Sequence, residues 1–185
     1  MVRRILWVLG LLAAATAAAS PGAADAIATT DSGSGAQVLE PAQLPAADRV
    51  VVRKSERRMY LLSRGTVLRS YRVALGLIPA GTKERAGDFR TPEGVYRLTR
   101  RNAHSDYFLS IQVSYPNAQD KQRARRNRWE AGGSIMVHGL PNSLKHAPDY
   151  YATADWTDGC IALSNDDMLE LWFLTRTNTP IEIRP

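Results

Sequence analysis

Residues 49–74 read RVVVRKSERRMYLLSRGTVLRSYRVA, and their pattern decides the fold. Three apolar or alternating runs are set apart by Lys54-Ser55-Glu56 and by Arg64-Gly65. Turn residues at such intervals, between runs rich in β-branched and aromatic side chains, predict an antiparallel meander. Beyond this meander, strand-like runs follow at 94–99, 107–113, 134–138, 160–163 and 181–184. Helical signals are fewer. Asn117-Ala118-Gln119-Asp120 opens a short basic segment, and Ser164-Asn165-Asp166-Asp167 fits a capping box ahead of MLELWFL. The expected class is mainly β, a mixed sandwich or partly closed barrel with one or two short helices packed on it.

The span 48–185 has the usual size of one domain and is long enough to bury a core, with no internal repeat. Ahead of it, residues 27–47 are rich in Ala, Thr, Ser, Gly, Gln and Pro and contain SGSG at 32–35, which reads as a flexible linker. Residues 1–26 carry the parts of a secretory signal peptide: Arg3 and Arg4, an apolar run from Ile5, and small-residue sites at 17–19 and 24–26. Spanning a bilayer takes about 20 predominantly apolar residues, and this run gives way to Ser20, Pro21 and Gly22. The expectation is therefore export to the periplasm or cell wall, with no transmembrane anchor after processing.

The chain is basic, with 24 Lys and Arg against 18 Asp and Glu. The densest cluster, KQRARRNR at 121–128, would point to nucleic acid in an intracellular protein. Export argues against that partner. A solvated helix face accounts for the cluster, with weak attraction to anionic wall polymers or substrate carboxylates as a second use.

One cysteine, Cys160, serves the whole chain and cannot form an internal bridge. A free cysteine often acts as a small buried hydrophobe. Alternation offers another use. In SIMVHG, Ile135 and Val137 share one strand face while Met136 and His138 share the other; in GCIALS, Ile161 and Leu163 face inward and Cys160 begins the opposite face. If the two strands are neighbours in one sheet, His138 and Cys160 share a surface, and an imidazole beside a thiol is what a nucleophilic cysteine requires. Gly159 allows a tight turn there, so that nearby N–H groups can face an oxyanion. Spacing alone leaves catalysis and packing both open. His104 and His146 lie in polar loops without a pattern, and scattered histidines with one cysteine do not make a zinc site. Tyr150, Tyr151 and Trp156 occupy the long loop between His138 and Cys160, as a substrate wall or as surface packing.

At these residues the sequence resembles the YkuD-type L,D-transpeptidase catalytic domain family. His138-Gly139, a spacer, and then Thr157-Asp158-Gly159-Cys160-Ile161 are similar to the family signature. Ser70-Tyr71-Arg72-Val73-Ala74-Leu75-Gly76 and the run GDFRTPEGVY at 87–96 resemble its N-terminal half. The resemblance covers residues 49–185, and its motifs together are more specific than any one of them. It implies a mixed β-sandwich of the L,D-transpeptidase type that acts on peptidoglycan stem peptides without metal or cofactor. Cys160 would be the nucleophile and His138 the base, with the Gly139 carbonyl orienting the imidazole. The N–H groups around Gly159 and Cys160 would form the oxyanion hole. A thioester at Cys160 would form with loss of terminal D-alanine and pass to an amine.

Two positions differ from the better-known signature. Asp158 stands in place of a histidine, and Ala162 in place of an arginine two residues after the cysteine. Arg90 is then the candidate anchor for a substrate carboxylate, and Asp158 is either a substrate contact or a solvated loop carboxylate. With His138 beside it, Cys160 is expected to ionise below the ordinary thiol value. Two rivals remain: a peptidoglycan hydrolase or amidase using the same pair, and a wall-binding domain in which the pair is vestigial.

Overall fold

The computed structural model describes residues 46–185. The signal-peptide reading, and all but the last two residues of the linker reading, lie outside the described residues. The meander forms as the sequence predicts: β1 (Arg49–Arg53), β2 (Arg58–Ser63) and β3 (Thr66–Arg72) pair antiparallel in succession. Arg64 and Gly65 both take positive φ, 51° and 80°, as a two-residue hairpin turn requires if it is to match the strand twist.

The remaining strands are β4 (Gly94–Ser105), β5 (Phe108–Val113), β6 (Met136–His138), β7 (Ile161–Ala162) and β8 (Pro180–Arg184), giving the order β3-β2-β1-β8-β4-β5-β6-β7. Pairing is mixed. β8 runs parallel to β1 and antiparallel to β4, while β6 and β7 are parallel. β4 is twice the expected length because it serves two layers: Gly94–Arg97 pair with β8, and from Leu98 onward the strand pairs with β5 across two bulges. Bulges bend a strand, and here they turn the chain from one layer into the next. The far edges meet again where Ala74 and Ala162 exchange both backbone hydrogen bonds at 2.9 Å. Between the layers lie Val50, Val52, Leu61, Ile111, Val113, Val137, Ile161 and Ile183, all 2% exposed or less.

The class is mainly β with mixed pairing, as expected, but the helices number three among the described residues, against the expected one or two. They are α1 (Ala118–Arg126), α2 (Pro148–Thr153) and α3 (Asn165–Leu174). The capping box lies at α1, where Asn117 accepts from the Asp120 N–H and the Asp120 carboxylate accepts from the Asn117 N–H. At α3, Ser164 supplies only the N-cap hydroxyl, 3.1 Å from the Asp167 nitrogen. The α3 side chains Met168, Leu171 and Leu174 close the core. α2 was hidden in sequence by its brevity and by Pro148, which suits a first helical turn and also reads as a loop. Among the described residues no helix is long and apolar enough to cross a membrane.

Candidate active site

The conditional adjacency holds: β6 and β7 are neighbours, in parallel register Val137 with Ile161 and His138 with Ala162. Alternation then directs Ile135, Val137, Ile161 and Leu163 into the core and turns Met136, His138 and Cys160 to the opposite face. That face opens on a cavity of about 400 Å³ whose walls include Tyr107, Ser110, Ser134, Met136, His138, Trp156, Asp158 and Cys160.

His138 is 5% exposed. Its Nδ1 lies 2.7 Å from the Gly139 carbonyl oxygen. A carbonyl can only accept, so Nδ1 carries the proton and Nε2 keeps its lone pair. Tyr107 leans on the imidazole with ring centroids 4.6 Å apart, and Trp156 meets it edge-on at 5.6 Å. Burial pushes the His138 pKa below the ordinary imidazole value, only partly offset by the Gly139 bond.

Cys160 is half-buried, and its sulfur accepts from the Met136 N–H at 3.4 Å and points its thiol at the Ser134 carbonyl at 3.6 Å. Burial pushes the thiol pKa up and Asp158 adds to that; the Met136 N–H and the Lys83 charge oppose it without prevailing. This corrects the expectation of a thiol ionising below its ordinary value. The sequence offers a candidate base but carries no sign of how little water reaches the sulfur.

Gly159 has φ +131°, a conformation open to glycine, and a Cβ there would lie 2.6 Å from the Arg90 carbonyl oxygen. Its N–H is already committed to the Thr157 hydroxyl at 3.1 Å. The Cys160 N–H, by contrast, has no partner among the described residues. Of the two donors expected for an oxyanion hole, the structure therefore leaves Cys160 free and uses Gly159 inside the turn.

Thr157 belongs to the motif, and its task is visible only in the folded chain. Buried, it ties the nucleophile turn together: its hydroxyl donates to the Cys160 carbonyl at 2.7 Å, and its backbone bonds Leu75 and Leu77 at 3.1 and 2.9 Å. Asp155 extends the same attachment, accepting from Leu75 N–H and pairing with Arg57. Tyr107 was missed because nothing local distinguishes an aromatic at a hairpin tip; only the β4–β5 register brings it to His138. Trp156 lines the cavity, and Tyr151, 8% exposed, supports it edge-on at 5.1 Å. Asp158 is exposed at the cavity wall. Arg90 is absent from the wall: its guanidinium lies 3.7 Å from Glu84, and its contribution to the site is the backbone carbonyl against Gly159.

Known proteins agree with this architecture. A protein of Escherichia coli (strain K12), YafK, named for the L,D-transpeptidase class, is 28% identical over 108 residues, covering 57% of this chain and 36% of YafK. The crystal structure of the helical cell shape determining protein Pgp2 from Campylobacter jejuni superposes with a TM-score of 0.55 at 25% identity, over 76% of this chain and 50% of Pgp2. Bd1075 of Bdellovibrio bacteriovorus shares the fold, with a TM-score of 0.51 at 24% identity over 76% of this chain and 51% of that one. The chain thus spans about half the length of these solved relatives or less of YafK. The family model for the L,D-transpeptidase catalytic domain, YkuD, matches residues 47–183, and the chain belongs to that family.

Proposed function

We propose that this chain is an exported, cysteine-dependent L,D-transpeptidase acting on peptidoglycan stem peptides. The observation that carries the reading is the shared cavity face: the lone thiol and a buried imidazole of fixed tautomer open on one space. Both groups rest neutral, so His138 acts as a general base on a thiol rather than as partner to a preformed thiolate. Nε2 takes the thiol proton as sulfur bonds to the carbonyl carbon of the third stem residue, and the carbonyl electron pair moves onto oxygen beside the Cys160 N–H. The oxyanion collapses and breaks the amide C–N bond. The imidazolium gives its proton to the departing nitrogen, and D-alanine leaves a thioester on Cys160. An amine then attacks that thioester, losing its proton to His138, which returns it to sulfur. Residues 1–26 serve as a signal peptide in this proposal, 27–47 as a linker and 48–185 as the catalytic domain, with the enzyme working in the periplasm or wall. Likeness to a cell shape determining protein places cell shape among the processes to examine.

A second reading, hydrolysis of the same thioester, is favoured by one observation. Among the described residues, the only Asp, Glu, Lys or Arg side chains lining the cavity are those of Asp106 and Asp158. Carboxylates hold an arriving amine in its ammonium form, which is not nucleophilic, and this favours water as acceptor. Purified protein, tetrapeptide muropeptides and a panel of amines, followed by mass spectrometry, separate the readings. Amine-bearing or cross-linked product supports transfer, and tripeptide alone supports hydrolysis. Neither product, with no acyl adduct on Cys160, leaves the wall-binding domain.

A further inference from the structure

Behind the nucleophile turn lies the loop 83–91, and one carboxylate shapes it. Asp88 Oδ2 accepts the Glu84 and Arg85 N–H groups at 2.7 and 3.1 Å, while Oδ1 accepts the Arg90 N–H at 3.2 Å and meets Lys83 Nζ at 2.7 Å. The Lys83 and Asp88 side chains are 4% and 9% exposed. Burial alone would raise the Asp88 pKa; the ammonium and the three amides outweigh it and hold the carboxyl below its ordinary value. Phe89 sits at φ 54°, which a bulky residue adopts only when its surroundings impose it.

The shaped loop presses on both sides of the cysteine. The Arg90 carbonyl abuts Gly159, the residue before Cys160. The Phe89 carbonyl occupies the space beside Gly76 that a Cβ would need, and accepts the Ile78 N–H at 3.0 Å. On the other side the Ala86 N–H bonds the Glu130 carbonyl at 2.8 Å, and the Ala86 Cα would lie 3.1 Å from a Cβ on Gly132. That second contact lies on the approach to Ser134 and Met136, the two backbone partners of the Cys160 sulfur. Rate is sensitive to ångström-scale misplacement of a reacting atom.

We infer that Asp88, paired with Lys83, is a positioning residue for the nucleophile: by gathering three amides of the 83–91 loop it fixes the backbone on both sides of Cys160 and so the seat of the sulfur. The inference rests on the reading of Cys160 as nucleophile.

The test uses the full chain with Asp88→Asn and with the double change Asp88→Asn and Lys83→Met, following muropeptide turnover, thermal midpoint and iodoacetamide labelling of Cys160 against pH. Positioning predicts that kcat falls at least about tenfold while KM changes less than about twofold, in both variants. The labelling profile should shift as well. A lowered thermal midpoint with unchanged kcat far below it would mean a purely structural tie and overturn the inference. So would recovery of wild-type kcat in the double variant, because the defect would then be an unpaired Lys83 charge. Should Asp88→Asn fail to fold, the double variant decides, since it leaves no buried ammonium uncompensated. Wild-type protein inert on every peptide sinks the proposed function; the inference then stands or falls on whether Asp88→Asn alters Cys160 labelling.

Discussion

The Met136 N–H points at the Cys160 sulfur from 3.4 Å across the parallel strands β6 and β7. Such a bond favours the thiolate, yet burial and the Asp158 charge outweigh it and keep the thiol protonated. Iodoacetamide labelling of the folded protein should therefore reach half its maximal rate above about pH 8.5, the free-cysteine value. Asp158→Asn should move that midpoint down. A wild-type midpoint below the free value would indicate a preformed thiolate–imidazolium pair and refute the general-base scheme.

His138 gives a second pH signature. Burial lowers its pKa beneath the ordinary value of about 6.5, so the neutral base persists into mildly acidic solution. Turnover of muropeptides should rise with pH through a midpoint below about 6.5. Between the lowered and ordinary values the unfolded chain binds more protons than the folded one. Stability therefore rises with pH across that window and is lost as pH falls through it. Denaturant titrations at several acidic pH values, compared with His138→Gln, check the sign: the slope in this window should flatten in the variant.

Gly159→Ala places a Cβ 2.6 Å from a backbone carbonyl at φ +131°. The carbonyl belongs to the Arg90 backbone, so relief requires backbone movement. The expected cost is about 1–3 kcal/mol of folding stability from the strained conformation, with a loss of turnover beyond what unfolding explains. Urea denaturation alongside muropeptide assays measures both.

Lys54 marks a turn in the sequence and is nevertheless only 2% exposed, its ammonium bonded to the Glu93 carboxylate at 2.7 Å and to the Thr91 carbonyl at 3.2 Å. Glu93→Gln leaves that buried charge without its anion and should cost about 3 kcal/mol. Lys54→Met removes the charge altogether and should cost less. The opposite ranking in denaturation midpoints would show that Lys54 escapes to solvent once unpaired.

Local pattern determined a good deal of this protein by itself. Alternation set the three-strand meander and turned Met136, His138 and Cys160 away from the core, because side-chain direction along a strand follows from sequence position alone. Glycine at 159 announced a backbone conformation that other residues avoid. Tertiary structure decided the rest. Whether His138 and Cys160 share a surface depended on β6 lying beside β7, a long-range pairing of Val137 with Ile161 and His138 with Ala162 that no local signal encodes. The protonation of that pair followed from desolvation, a property of everything packed around it; Tyr107 reached His138 only through the β4–β5 register. Arg90 shows the same division: its charge in the sequence proposed a substrate anchor, while the folded chain turned the guanidinium to Glu84 and set only its carbonyl against the nucleophile turn. Sequence specifies which face a side chain takes on its own strand. Which neighbours it finds there is fixed by long-range pairing and burial, which act on the assembled chain.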